Sequence, residues 1–172
     1  MISDLLLPEF DEEMATTRHV LERVPDGDGQ GEWRPHPKSF PMAHLAQLVA
    51  MMPSWVSMMM RETEVDIAPK DRAPGSGYTI EKTAALLAQF DRNVAEARAA
   101  LAATPDEAWD VTWTMKAAGH VVQQKSRYQM LRTGVLNHLV HHRAQLGVYL
   151  RLVDLPVPSM YGPTADTKVG AA

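Results

Sequence analysis

Apolar side chains return every three or four positions along the last third of the chain. At about 100° per residue, Leu131, Val135, Leu139, Leu146, Tyr149, Leu150 and Val153 fall on one arc of a helix. His142 lies within that arc, His138 at its edge and His141 on the flank. Residues four apart on a helix share a face one turn apart, so His138 and His142 point the same way. Two imidazoles at that spacing can bind one metal ion, the geometry of the histidine pair in H-E-x-x-H. A lone histidine on an apolar face is more often satisfied by a carbonyl or hydroxyl. Two neutral imidazoles stacked there are harder to satisfy, because each brings a donor and an acceptor into a dry place.

Three further helices precede this one. Helix one is expected to open at Pro8, where the missing N–H costs nothing, with Glu9, Asp11, Glu12 and Glu13 at the positive end of its dipole. Its inward stripe is Phe10, Met14, Thr17, Leu21 and Val24, and His19 falls on the surface. Pro35 and Pro37 hold the next stretch extended, with Trp33 plugging one end of the core and His36 exposed. Ser39 is the expected N-cap of helix two, which runs to about Glu62. Phe40, Leu45, Leu48, Met52, Trp55, Val56 and Met59 share its inward face, and His44 lies at the edge of that face as a candidate third ligand. Pro53 is expected to kink this helix and free the carbonyl of Val49. The methionines at 51, 52, 58, 59 and 60 suit adaptable core packing, an apolar pocket or a subunit interface.

Val65 to Gly77 reads as a long crossover, which lets a bundle set its next helix parallel to the last. Thr79 then caps helix three, from about Ile80 to Ala103, whose Asp91, Arg92, Glu96 and Arg98 form a solvated face. Val111 to Met115 alternates with period two and is rich in β-formers. With a turn at Lys116–Gly119 and a return over His120–Gln123, it predicts a short hairpin or flap. His120 there is a weak, exposed ligand candidate. Ser126-Arg127-Tyr128-Gln129 fits the capping box of the histidine helix, which is expected to end near Asp154. Pro156 and Pro158 extend the tail, Met160–Thr164 packs back on the helices, and Thr167–Ala172 is expected to be disordered. The chain is thus one domain, residues 1–172, with an extended tail over about 155–172.

Composition removes several functions. The net charge of −4 argues against a nucleic-acid surface. The absence of cysteine removes disulfides, cysteine-ligated zinc and thiol nucleophiles, and fits a reducing cytoplasm. No apolar run reaches membrane-spanning length, and the first residues lack the basic region of a signal peptide. No Glu-x-x-His pair is present for a di-iron bundle, and no G-x-S-x-G elbow for a serine hydrolase.

Three segments resemble the DinB-like (YfiT-like) family, a group associated with metal-dependent enzymes. Trp33-Arg34-Pro35-His36-Pro37-Lys38-Ser39 looks like that family's lead into helix two. His138-Leu139-Val140-His141-His142-Arg143-Ala144-Gln145-Leu146 looks like its H-x-x-x-H-R-x-Q core, continued by Tyr149-Leu150-Arg151. Pro156-Val157-Pro158-Ser159-Met160-Tyr161-Gly162 looks like its closing segment. The resemblance implies an all-α four-helix bundle in up-down-down-up order, here with a short β-hairpin or flap before the last helix. It implies a divalent metal on His44, His138 and His142, and a homodimer, which the methionine-rich face of helix two also suggests. Relatives include thiol-S-transferases and isomerases that use low-molecular-weight thiols, and domains of iron-dependent sulfoxide synthases.

The expectation drawn from both lines is a metal-dependent enzyme acting on a small-molecule substrate, a thiol or group transferase or a related hydrolase or isomerase. Three histidines leave a position on zinc open for water or substrate, and nickel or iron also suits imidazole ligands. The metal would activate a bound water or low-molecular-weight thiol. Gln145, Arg143 and Asn137 are candidates to orient ligands or substrate; the alternative for Arg143 is a pair with an acid on a neighbouring helix. The competing readings are a non-catalytic metal- or small-molecule-binding bundle and a metal-free interaction protein. Neither a nucleic acid nor a membrane is expected as a partner.

Overall fold

The computed structural model describes residues 1–26, 31–69 and 82–167. The chain is mostly helical, with one small three-stranded sheet. Helices α1 (Ile2–Leu21), α2 (Met42–Arg61) and α3 (Thr83–Ala102) come first, and α2 packs most closely on α3. The fourth rod is composite: α4 (Arg127–Met130), a π-helical turn (Leu131–Leu136) and α5 (Asn137–Leu152) run end to end. Strand β1 (Glu64–Asp66) pairs parallel with β2 (Thr112–Ala117), which pairs antiparallel with β3 (His120–Ser126). No helix among the described residues is long and apolar enough to cross a membrane.

Helix α1 begins six residues before Pro8, which lies inside it. The N–H of Ile2 donates to Asp106 Oδ1 at 2.7 Å, so a distant carboxylate serves the first turn. Pro8 then forgoes only the bond to the carbonyl of Asp4. Helix α2 starts at Met42, not after Ser39. The N–H groups of Met42 and Ala43 donate to the carbonyls of Trp33 and Gly31, at 2.9 and 3.0 Å. Backbone from the preceding loop thus does the work expected of a serine side chain. Ser39 instead closes a turn, its N–H on the carbonyl of His36 at 2.9 Å, so residues 36–39 are folded back rather than extended. Pro53 sits buried inside α2 without ending it. Asn93 Nδ2 of α3 donates to the carbonyl of Ala50, and Ser54 Oγ to that of Met51.

Strand β1 falls where a crossover loop was expected; three residues are too few to display an alternating pattern. Its Asp66 accepts from the N–H groups of Ala68, Ala118 and Gly119, which holds its carboxyl below the usual range. That clamps the β2–β3 turn, where Ala118 (φ 51°) and Gly119 (φ 83°) are both left-handed. The expected Thr79 cap lies outside the described residues. Helix α3 opens at Thr83, whose N–H donates to Asp26 Oδ1 at 2.7 Å, another cap supplied from far along the chain.

The core joins Phe10, Met52, Phe90, Leu131, Leu139 and Leu150 from all four rods. Trp109 and Trp113 close its sheet end, and half-buried Trp33 meets Tyr149 edge-on at 5.6 Å. Ser126 caps the fourth rod, its Oγ accepting from Gln129 N–H at 3.3 Å. The buried Arg127 next to it donates to the carbonyls of Met59, Glu62 and Ala108, fastening the end of α2 to the sheet end of the rod. Val157, Met160 and Tyr161 bring the tail back onto the helices, with the Met160 methyl against Gly147.

Candidate functional site

The fourth rod positions the histidines. Leu139, Leu146 and Leu150 are fully buried and fix the rotation of α5 about its axis. His142 is thereby driven inward to 8% exposure, His138 is half-buried one turn earlier, and His141 stays in solvent. The π-helical turn ends just before this segment, and such wide turns leave carbonyls open to side chains. His138 Nδ1 lies 3.3 Å from the carbonyl of Gly134 within that turn.

The two rings meet with their Nε2 atoms 2.8 Å apart. His142 Nδ1 lies 2.8 Å from Gln145 Oε1. A carbonyl oxygen only accepts, so both Nδ1 atoms carry the proton in this arrangement. Each neutral ring then has only a lone pair left at Nε2, and the two lone pairs face one another. Such a contact is repulsive until a cation joins it. Burial, with the neighbouring imidazoles of His138 and His141, pushes the His142 pKa down, and Gln145 partly opposes this.

His44 stands half-buried in the first turn of α2. Burial lowers its pKa as well. Its ring stacks on Phe40 at 4.3 Å and 20°, and Phe40 in turn lies 6.5 Å from His142. Trp55, three turns further along α2, lies 5.8 Å from His138. Among the described residues no three histidine, aspartate or glutamate side chains close into a metal-holding group. The structure thus brings His138 and His142 into direct contact, and Phe40 lies against both His44 and His142.

The remaining candidates divide. Gln145 bonds His142, whereas Asn137 is exposed and makes no side-chain hydrogen bond among the described residues. Arg143 turns away from the pair and is wholly buried against α1. There it pairs with Glu13 at 2.7 Å and donates to Thr17 Oγ1 and to the Tyr161 hydroxyl. Burial raises the pKa of that hydroxyl, and its bond to Glu13 adds to the shift. His19, His36 and His120 are exposed, away from the pair.

Phe40 had been assigned to the core stripe, yet it keeps 44% of its surface exposed. Its place before the first turn of α2 was concealed by the expected cap at Ser39. The Glu13–Arg143–Tyr161 cluster was half visible: an arginine beside the inward histidine needed an acid, but nothing in the sequence chose among the four acids of helix one.

Comparison with known proteins agrees with this architecture. The family model of the DinB superfamily matches residues 9–146. The crystal structure of a DinB-like protein from Bacillus cereus ATCC 10987 superposes with a TM-score of 0.64 at 16% identity, covering 90% of this chain and 95% of that one. A DinB-like protein from Bacillus subtilis, YjoA, gives a TM-score of 0.64 at 13% identity, covering 95% and 99%. No curated protein matches. The composite histidine rod, the order of the helices and a match across most of the length lead to one conclusion: the chain belongs to the DinB superfamily.

Proposed function

We propose that the chain binds one divalent metal ion through His138, His142 and His44, and uses it to activate a water or low-molecular-weight thiol toward a small-molecule substrate. The observation that carries this reading is the approach of two Nε2 lone pairs to 2.8 Å with both Nδ1 atoms already committed to oxygen acceptors. A metal bonds imidazole nitrogen at about 2.0–2.1 Å, so one ion can reach both. His44 completes the set by turning its ring off Phe40. Oxygen acceptors on the far nitrogens are the usual support of ligand histidines, and Gln145 fills that role for His142. Bound to the three imidazoles, the ion would act as a Lewis acid that lowers the pKa of a water or thiol. The chain would hold the ligand nitrogens neutral by burial. Zinc is the first candidate, with nickel and iron next.

The finer architecture belongs to the same reading: an up-down-down-up bundle, working as a cytoplasmic homodimer through the methionine-rich face of α2.

The test is metal analysis of protein purified without a metal-affinity column and dialysed against zinc, nickel or ferrous iron. One ion per chain is expected. His138→Ala, His142→Ala and His44→Ala should lose most of it, while His141→Ala keeps it. If His141→Ala loses the metal and His142→Ala retains it, the assignment is wrong. A thiol-consumption screen on the loaded protein then separates enzyme from binder.

A further inference from the structure

The pattern H-x-A-Q-L occurs twice, as His44-Leu45-Ala46-Gln47-Leu48 in α2 and as His142-Arg143-Ala144-Gln145-Leu146 in α5. Both copies are α-helical throughout, and the leucine that closes each is buried. The glutamine follows the histidine by three positions, a step that sets two side chains side by side on one helix face. In α5 that pair is made: His142 Nδ1 lies 2.8 Å from Gln145 Oε1, which leaves Nε2 to face His138. In α2 the glutamine waits. Gln47 Oε1 is buried and, among the described residues, meets no hydrogen-bond donor. A buried carbonyl oxygen without a donor forfeits its hydration, and folded chains leave few in that state. Packing alone does not call for it, since a leucine would occupy the place with no oxygen to satisfy.

We propose that Gln47 is the positioning residue of His44. When the His44 ring leaves Phe40 and turns Nε2 toward the ion, its Nδ1–H donates to Gln47 Oε1, as that of His142 does to Gln145. The assignment rests on the metal reading above. Both ends of this bond have a need for it. A neutral imidazole ligated at Nε2 carries its proton at Nδ1, and in a half-buried place that proton must find an acceptor. Gln47 supplies one, and gains the donor it lacks. Such a partner fixes the tautomer, keeps the Nε2 lone pair for the metal and makes the ring a stronger ligand. The hydrogen bond also offsets the loss of the stack on Phe40, made at 4.3 Å and 20°.

Gln47→Leu tests it, because a ligand-positioning role and a structural role move its properties in opposite directions. Leucine removes an unpaired buried oxygen, so the Tm of metal-free protein should hold or rise. Zinc affinity, read by competition with a chromogenic chelator, should nonetheless fall about 10–100-fold. Gln47→Glu, which also accepts from Nδ1, should retain it or exceed it. Long-range proton–nitrogen NMR of the zinc-loaded protein should show His44 protonated at Nδ1. In Gln47→Leu that resonance should move while the one from His142 stays. Two results overturn the assignment alone: zinc affinity unchanged in Gln47→Leu while His44→Ala loses the metal, or an affinity loss that only follows a fall in Tm. A wild-type protein that takes up no zinc, or uptake that survives His44→Ala, overturns the ligand set itself, and the role of Gln47 falls with it.

Discussion

Arg143 and Glu13 form an ion pair of 2.7 Å in which the guanidinium is wholly buried and the carboxylate nearly so. The pair ties α5 to α1, and the Tyr161 hydroxyl, 2.6 Å from Arg143, adds the tail. Removing one partner leaves the other buried and uncompensated, at a cost of about 3–5 kcal/mol. Glu13→Ala should therefore lower the free energy of unfolding by that amount, measured by urea denaturation. Tyr161→Phe removes one hydroxyl from the same cluster and should cost about 1 kcal/mol. A Glu13→Ala protein as stable as the wild type would show that water reaches Arg143.

Gln145 holds the outer nitrogen of His142 at 2.8 Å. Partners of this kind are worth about 10–100-fold in metal affinity. Gln145→Ala should weaken zinc binding on that scale, while Gln145→Glu, which also accepts from Nδ1, should retain it. Competition with a chromogenic chelator reads both, and an unchanged affinity in Gln145→Ala removes the glutamine from the site.

Burial lowers the pKa of both His44 and His142. The unfolded chain, with imidazoles near about 6.5, then binds more protons than the folded one at mildly acidic pH. Stability is accordingly full above that value and falls as pH drops through it toward the lower folded values. Asp26, Asp66 and Asp166 have depressed carboxyls, through hydrogen bonds to Thr83, to Ala68 and to Arg151 in turn. Their contribution is lost only at more acid pH, below about 4. Thermal melts of metal-free protein should thus give a lower Tm at pH 5.5 than at pH 7.5, and His142→Gln should flatten the difference. A Tm that rises on acidification contradicts the assignment.

Arg127 donates to three carbonyls, of Met59, Glu62 and Ala108. A lysine has a compact head that does not span the three. Arg127→Lys should leave at least one of them unpaired and cost about 1–3 kcal/mol, with no change in metal content. Equal denaturation midpoints would mean that water replaces the lost donors.

The helices and the inward histidines were legible because both are written in a period. Leu139, His142 and Leu146 fall on one arc at helical spacing, and one arc is what the core buries. The starts of the helices were misread for a common reason. Local signals at Pro8 and Ser39 compete with partners far along the chain: Asp106 serves Ile2, and the carbonyls of Gly31 and Trp33 serve α2. A cap supplied from a hundred residues away leaves no mark beside the helix it caps.

The inward pair was the more legible part of the candidate site. The spacing of His138 and His142 is a property of one rod, whereas the distance from His44 depends on how α2 and α5 lie together and on the ring it stacks against. Strand β1 and the π-helical turn were missed because each is too short for a periodic signal. The turn did leave a trace, since Met130 and Leu131 are followed by a second buried doublet, Val135 and Leu136, five positions on. An unbroken α-helix does not keep two adjacent pairs five apart on the same side.

That doublet sets a phase. The rod from Arg127 to Leu152 serves two masters: at one end Arg127 must face three carbonyls of the sheet and α2, and at the other the histidines must face the seam with α2. A uniform helix fixes the angle between those ends by residue count alone, in steps of about 100°. The wide turn at Leu131–Leu136 takes up residues without completing the angle they would otherwise add, so the two ends keep settings that no unbroken helix of this length provides. Deleting one residue there, at exposed Thr133 for example, would make the rod more regular and the molecule worse. Whichever end kept its partners, the other would be turned by a quarter of a circle or more.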